Sequence, residues 1–283
     1  MCRLLVSGIV ERMDRTFRFG VVAAGAQDGR QWSALAQRVE QLGYDILLTP
    51  DNLGGISPLP ALTAAAAATS TLRVGSYVLA APYRSAAQVA WDTAALAALS
   101  DGRFELGIGA GRPAAAGEAE LLGREFGPFE ERVAEVAATI RAVRERVPGQ
   151  RVLVAGSGRR LLELAAVEAD SIAIGLGPEA DEAALTAKVG VLRELAGPRA
   201  DDLELNVNLL AVGEETPPWL RQHLGLDVAD LAARGSAAVL TGSVAQMADR
   251  LQRRRDATGI SYVVTNAGFL DALAPVVRRL AGT

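Results

Sequence analysis

One cysteine (Cys2), one histidine (His223) and one lysine (Lys188) are all that 283 residues hold of those three types. A lone cysteine excludes an intramolecular disulfide and a thiolate metal cluster. It fits a reducing, cytoplasmic setting. A lone histidine excludes multi-histidine metal centres and any relay between two imidazoles. No clustered Asp/Glu pattern offers a carboxylate cage instead, so no metal site is expected. Positive charge is not in excess either: 33 acids against 29 bases leave a formal net charge of −4. That argues against a nucleic-acid partner and against an electrostatic membrane anchor. The apolar run Leu4–Val10 is far short of a membrane span and lacks a small-residue cleavage site. All bases but Lys188 are arginines, and most of these read as solvated helix faces.

What the chain does have is apolar mass and a regular alternation. Half of its residues are hydrophobic, enough for a large core. Strand-like runs are predicted at Phe17–Val22, Ile46–Leu48, Leu72–Leu79, Phe104–Ile108, Val152–Val154, Ile172–Ile174, Leu203–Val212 and Tyr262–Thr265. Helical spacing separates them. Trp32, Leu35, Ala36, Val39 and Leu42 repeat at three and four, as do Phe129, Val133, Val136, Ile140 and Val143. Further helices are predicted over Pro58–Thr69, Ser85–Leu99, Arg159–Glu168, Asp181–Leu195, around Val244–Leu251 and over Phe269–Leu280. Eight strand-then-helix units predict an α/β chain folded as a (β/α)8 TIM barrel over residues 16–283, with residues 1–15 an extension. The competing doubly wound sheet lacks its GxGxxG after the first strand. Ala64–Ala68 is five alanines in a helical pattern. It reads as a helix close-packed on the barrel, or as a small-residue face for a second subunit.

In such a barrel chemistry sits where strands end and loops to helices begin. Here those segments are 49–55, 80–84, 109–113, 155–158, 174–177 and 265–268. The strongest motif is Leu99-Ser100-Asp101-Gly102-Arg103-Phe104 followed by Gly107, Gly109 and Gly111. Ser100 and Asp101 favour a turn, and Gly102 permits positive φ. Small residues after Phe104 let a flat ring come close to the backbone. Together with Leu72–Arg84 before it, Gln41-Leu42-Gly43-Tyr44-Asp45 leading to Asp51, and Val152–Ile174, this run resembles the luciferase-like monooxygenase superfamily. The Arg84-Ser85 step and the Gly109-Ala110-Gly111 strand end resemble the branch that uses the deazaflavin coenzyme F420.

The resemblance implies an oxidoreductase that passes a hydride between F420 and a small organic substrate, and a homodimer. FMN with monooxygenation is the alternative cofactor and chemistry; a barrel that binds without turnover is a third reading. The resemblance places the cofactor phosphate at Gly156, Ser157 and Gly158, with Gly109, Gly111, Arg112 and Gly175 beside it. An ordinary turn with an N-cap serine is the other reading of that segment. It implies a non-proline cis bond at Tyr77–Val78, where Ser76, Tyr77 and Val78 form a bulge against one cofactor face. Asp51, Asn52 and Tyr77 are then the candidate catalytic residues. Asp51 orients the ring or substrate, or caps the following turn. Relatives carry Asp-His where this chain has Asp51-Asn52, and an amide is no general acid near pH 7. Tyr77 and Tyr83 are candidate proton donors. Other departures are Leu96-Ala97, Arg112-Pro113, and a link of only Val147–Arg151 before the fifth strand, which implies a more open or differently lidded mouth. His223 and Trp219, near Pro217-Pro218, read as surface or lid residues.

Overall fold

The computed structural model describes residues 15–283. Apart from Arg15, the expected extension lies outside that range, as does the side chain of His223. Eight parallel strands form the centre: β1 Arg18–Val22, β2 Ile46–Thr49, β3 Arg73–Ser76, β4 Phe104–Gly109, β5 Val152–Gly156, β6 Ser171–Ile174, β7 Glu204–Leu209 and β8 Ile260–Asn266. Each pairs with the next, and β8 pairs with β1 through Arg18↔Tyr262 to Val22↔Asn266, so the sheet closes. The crossover helices are α1 Gly29–Gln41, α2 Pro58–Ala68, α3 Ala86–Leu99, α4 Phe129–Arg146, α5 Arg159–Glu168, α6 Glu182–Ala196, α7 Val244–Thr258 and α8 Leu270–Leu280. The (β/α)8 barrel expected from the alternation is therefore the fold.

Local chemistry starts these helices where the pattern predicts. The Asp28 carboxylate caps α1 by accepting from Gln31 N, and Asp181 does the same for α6 at Ala184 N. Capping boxes, Ser85 with Gln88 and Ser243 with Gln246, start α3 and α7. At the end of α1, Glu40 reaches out of the helix and accepts from the backbone N–H groups of Ser70, Thr71 and Leu72. Partial desolvation pushes its carboxyl up. Those donors outweigh it and hold the pKa down at about 2.

The barrel interior is layered. At the base, β1, β3, β4, β7 and the residue before β5 contribute Arg18, Arg73, Glu105, Glu204 and Arg151. Arg18 donates to Glu105 at 3.0 Å and to Glu204 at 2.9 Å; Arg73 also pairs with Glu105, and Arg151 with Glu204 at 2.8 Å. Ser171 donates to Glu204, and the Arg18 guanidinium lies 4.4 Å from the Tyr262 ring centre. This ionic layer closes the bottom. Above it Ile46, Leu48, Leu153, Ala173, Tyr262 and Val264 pack as an apolar plug.

Two expected strands are interrupted. The run Leu72–Leu79 breaks after Ser76 at a cis Tyr77–Val78 bond, and Leu79–Ala80 then resumes pairing on β4. The run Leu203–Val212 leaves the barrel after Leu209. Ala211–Val212 pairs instead with Val239–Leu240, starting an excursion that carries the short helices Pro218–Leu224 and Val228–Ala233. Trp219 packs there against the main core. The short link 147–151 runs from a helix to a strand, and such links lie at the base, opposite the strand ends. Arg151 accordingly joins the ionic layer, so this link does not open the mouth as expected.

Candidate active site

A cleft of about 900 Å³ opens at the carboxyl ends of β2 to β5 and β7. Beside it lies a smaller chamber of about 280 Å³ over β5 to β7. Tyr77, Val78, Ala155, Gly156 and Asn208 line both. The cleft brings together Asp51, Asn52, Tyr77, Val78, Gly109, Gly111, Arg112, Gly156, Ser157 and Gly158. Gly175 lines only the chamber. Ser76 lines neither: its hydroxyl donates to Gly107 O and accepts from Gly107 N.

Close backbone contact explains the glycine pattern on β4. A Cβ on Gly107 would stand 2.0 Å from Ser76 O, so only glycine lets β4 run against the bulge. The gap in the side chains is thus filled by the protein's own backbone. Gly158 makes room for Phe129 in the same way, with 2.9 Å from its virtual Cβ to the ring.

Asp51 does not cap the turn that follows it. Its carboxylate accepts from Arg84 through both oxygens and from Ala80 N at 3.0 Å. It therefore ties the end of β2 to the segment after the bulge. Tyr77 donates to Asn206 Oδ1 at 2.6 Å, and burial pushes its phenol up from its ordinary value. Tyr83 donates to Glu118 Oε2 at 2.7 Å, and the same oxygen accepts from Leu53 N at 3.1 Å. Burial first and the bond to Glu118 second push the Tyr83 phenol up as well. Glu118 belongs to a short helix, Ala116–Leu121, that covers one side of the cleft and has no counterpart in the predicted elements.

The turn after β5 exposes the start of α5. Gly158, not Ser157, is the N-cap residue, and no side chain caps the helix. Its first N–H groups are therefore not met by a capping side chain. Arg132 lines the same cleft from α4. Its residue exposure is 9 %, yet among the described residues no carboxylate lies within ion-pair distance of it. It donates to Ala110 O at 2.8 Å and Gly127 O at 2.6 Å and lies 4.1 Å from the Phe126 ring centre. Glu135 attracts it from beyond ion-pair distance, and an anion in the cleft would give this guanidinium a direct partner. Nothing in the sequence marks Arg132: it sits in an amphipathic helix where arginines read as solvated.

Residues 16–224 match the family model described as luciferase-like monooxygenase. An F420-dependent glucose-6-phosphate dehydrogenase of Amycolatopsis mediterranei (strain U-32) is 33% identical over 138 residues. That match spans 45% of this chain and 41% of the relative, less than half of either. Among solved structures, the coenzyme F420-dependent tetrahydromethanopterin reductase of Methanopyrus kandleri superposes with a TM-score of 0.72 at 15% identity, covering 94% of this chain and 99% of that one. A riboflavin lyase with modified FMN and riboflavin gives 0.73 at 14%, covering 94% and 93%. At such identities the structures speak for the fold, while the family match covers well over half of the chain. This closed eight-stranded barrel, with its bulge after β3, belongs to the luciferase-like monooxygenase family.

Proposed function

We propose that the cleft binds the deazaflavin coenzyme F420 and that the protein is an oxidoreductase acting on a small organic substrate. The observation that carries this reading is the anion cradle: the uncapped start of α5 and Arg132, which has no ion pair within salt-bridge distance among the described residues, line one cleft. A helix N-terminus and a guanidinium suit a phosphate. Gly156, Ser157 and Gly158 offer backbone N–H groups to it. Arg112, exposed at the rim beside Gly111, adds a second positive charge. When bound, the coenzyme supplies the two-electron chemistry as a hydride donor or acceptor. The 33% identical relative favours F420 over FMN.

The chain's own residues do the positioning. The bulge at Tyr77–Val78 presents backbone and the Val78 side chain to the cleft, a wall for one face of a planar ring. Asp51 acts by holding Arg84 and the Ala80 amide, and so fixes that wall from behind. Asn52 offers an amide at the rim. Tyr83 keeps its proton at neutral pH and points it at Glu118, so that pair binds the cover helix to the mouth.

The test is a titration of purified protein with F420, followed by the coenzyme's fluorescence, and with FMN, followed by absorbance. Micromolar binding of F420 and weaker binding of FMN is the expected result. No change with F420 at tens of micromolar overturns the reading; tighter binding of FMN transfers it to the flavin.

The homodimer follows from a second surface. α2 and α3 carry one charged residue between them, Asp92. Their outer residues include Ala64, Ala67, Ala95, Leu99 and Trp91, the last 64% exposed. An uncharged face over two adjacent helices fits a second copy of the chain. Trp91→Glu is expected to convert the dimer to monomer in light scattering after size exclusion, with F420 affinity retained. A monomeric wild-type protein would remove this part of the proposal. A cytoplasmic setting rests on the single cysteine and belongs to the same reading.

A further inference from the structure

We infer that residues 111–126 form a lid over the cleft, clasped at its neck by Arg132 and latched on its far side by Glu118, and that release of this latch gates passage of the coenzyme. The identity of what passes rests on the reading of the cleft as the coenzyme site.

The segment follows Ala110 at the end of β4 and rejoins the barrel at Gly127, just before α4. One guanidinium joins both roots: Arg132 donates to Ala110 O at 2.8 Å and to Gly127 O at 2.6 Å. At the same neck Gly111 turns at a φ of 76°, and the Phe126 ring lies 3.0 Å from where a Cβ would stand, so glycine suits this position. Roots drawn together in this way make the segment an Ω-type loop. Within it Arg112, Pro113, Ala114, Ala115 and Glu118 line the cleft.

Burial holds this loop weakly. Among residues 111–126 only Ala115 and Ala119 are buried, and alanine removes little apolar area from water. They pack with Ala80, Tyr83 and Phe126 in a satellite cluster apart from the main core. Leu121 is 80% exposed and Leu122 43%, so the short helix turns its largest apolar side chains to solvent. No side chain caps that helix, and Gly117 lowers its propensity to form. What fastens the loop is polar and local. Glu118 Oε2 accepts from the Tyr83 hydroxyl at 2.7 Å and from Leu53 N at 3.1 Å, and Arg124 donates to Pro82 O at 3.2 Å. Tyr83 and Leu53 stand on different segments of the rim, so one carboxylate oxygen shuts the loop against both. A segment with few buried contacts and a few half-exposed bonds opens locally while the barrel stays folded. Arg132 sits on α4, so the neck stays closed as the far side lifts, and the cradle keeps its cation.

Two variants test the latch. Tyr83→Phe keeps the ring in the satellite cluster and removes only the hydroxyl; Glu118→Ala removes the acceptor for both parts of the rim. Trypsin reads the lid without any ligand, because Arg124 lies inside it. Each variant is expected to raise cleavage after Arg124 by roughly tenfold, the low end for a bond to a half-exposed carboxylate, with cleavage at other arginines unchanged. Stopped-flow fluorescence is expected to show F420 leaving each variant faster than the wild type by a similar factor. Wild-type cleavage after Arg124 in either variant overturns the lid, as does a rise shared by all arginines, which marks global unfolding instead. F420 leaving both variants at the wild-type rate overturns the gate. If F420 binds none of the three proteins while cleavage after Arg124 still rises in both variants, the coenzyme reading falls and the lid stands.

Discussion

Replacing Arg132 by methionine lowers the affinity for F420 by roughly ten- to a hundredfold, the worth of one charge-assisted contact to a phosphate. Methionine keeps much of the side-chain volume and removes the fork. The change also removes the bonds to Ala110 O and Gly127 O, so some stability is lost with it. Arg132→Lys separates the two effects. It keeps a positive charge as a point and loses the fork geometry, so its affinity falls between the other two. Fluorescence titration of all three proteins, beside thermal melts by circular dichroism, decides the matter. If Arg132→Met binds as tightly as wild type, the cradle does not hold the coenzyme. Rising salt should weaken the wild type more than the methionine variant, since only the former retains the guanidinium.

Glu105→Gln destabilises the fold without touching the coenzyme. The substitution strips Arg18 and Arg73 of their shared partner at the barrel base. Breaking a buried pair costs about 3–5 kcal/mol. Arg73 is about a third exposed and Arg151 more, so water screens part of the loss and about 3 kcal/mol is the better figure. For a chain of this size the melting temperature falls by roughly 6–12 °C. Differential scanning calorimetry reads the change; an unaltered melting temperature would show that the layer contributes nothing.

Acid sensitivity follows from the same carboxylate. Burial pushes Glu105 up, and the guanidinium groups of Arg18, Arg73 and Arg151 outweigh it, leaving the pKa below the ordinary 4.5. A depressed pKa contributes stability that is complete above the unfolded value and is lost as pH falls through the folded one. Glu40 behaves alike, its lower limit near pH 2. Stability should therefore decline from about pH 4.5 downward, and the Glu105→Gln protein should show a shallower decline.

Much of this molecule could be read before any coordinates. The alternation of runs located all eight strands, because a strand covered on both faces must be apolar throughout. The turn Leu99–Phe104 and the cis bond at Tyr77–Val78 were found through resemblance, since no local rule places a cis bond before valine. The misses have physical causes. Ala211–Val212 is as apolar as β7 itself, so nothing local shows that it changes partners. Glu105 and Glu204 sit in apolar strands and look like errors of pattern until three other segments bring Arg18, Arg73 and Arg151 to them. Arg132 is masked by its helix, whose spacing accounts for the buried neighbours and leaves a guanidinium to be taken for solvent. Asp51 was visible as a strand-end carboxylate, but its partner Arg84 lies 33 residues on.

The excursion between β7 and α7 has a consequence for how this scaffold diversifies. It supplies Leu210, Ala237 and Ala238 to the chamber, its two-rung ladder lies outside the ring of barrel pairings, and Arg250 and Arg254 of α7 hold its carbonyls. Substitutions at Leu210, Ala237 or Ala238 would reshape the compartment from residues that belong to none of the eight barrel strands. The partition is at the same time part of the core, with Leu220, Val228, Leu231, Val239 and Leu240 fully buried, so a change of ligand preference made there is also a change in packing.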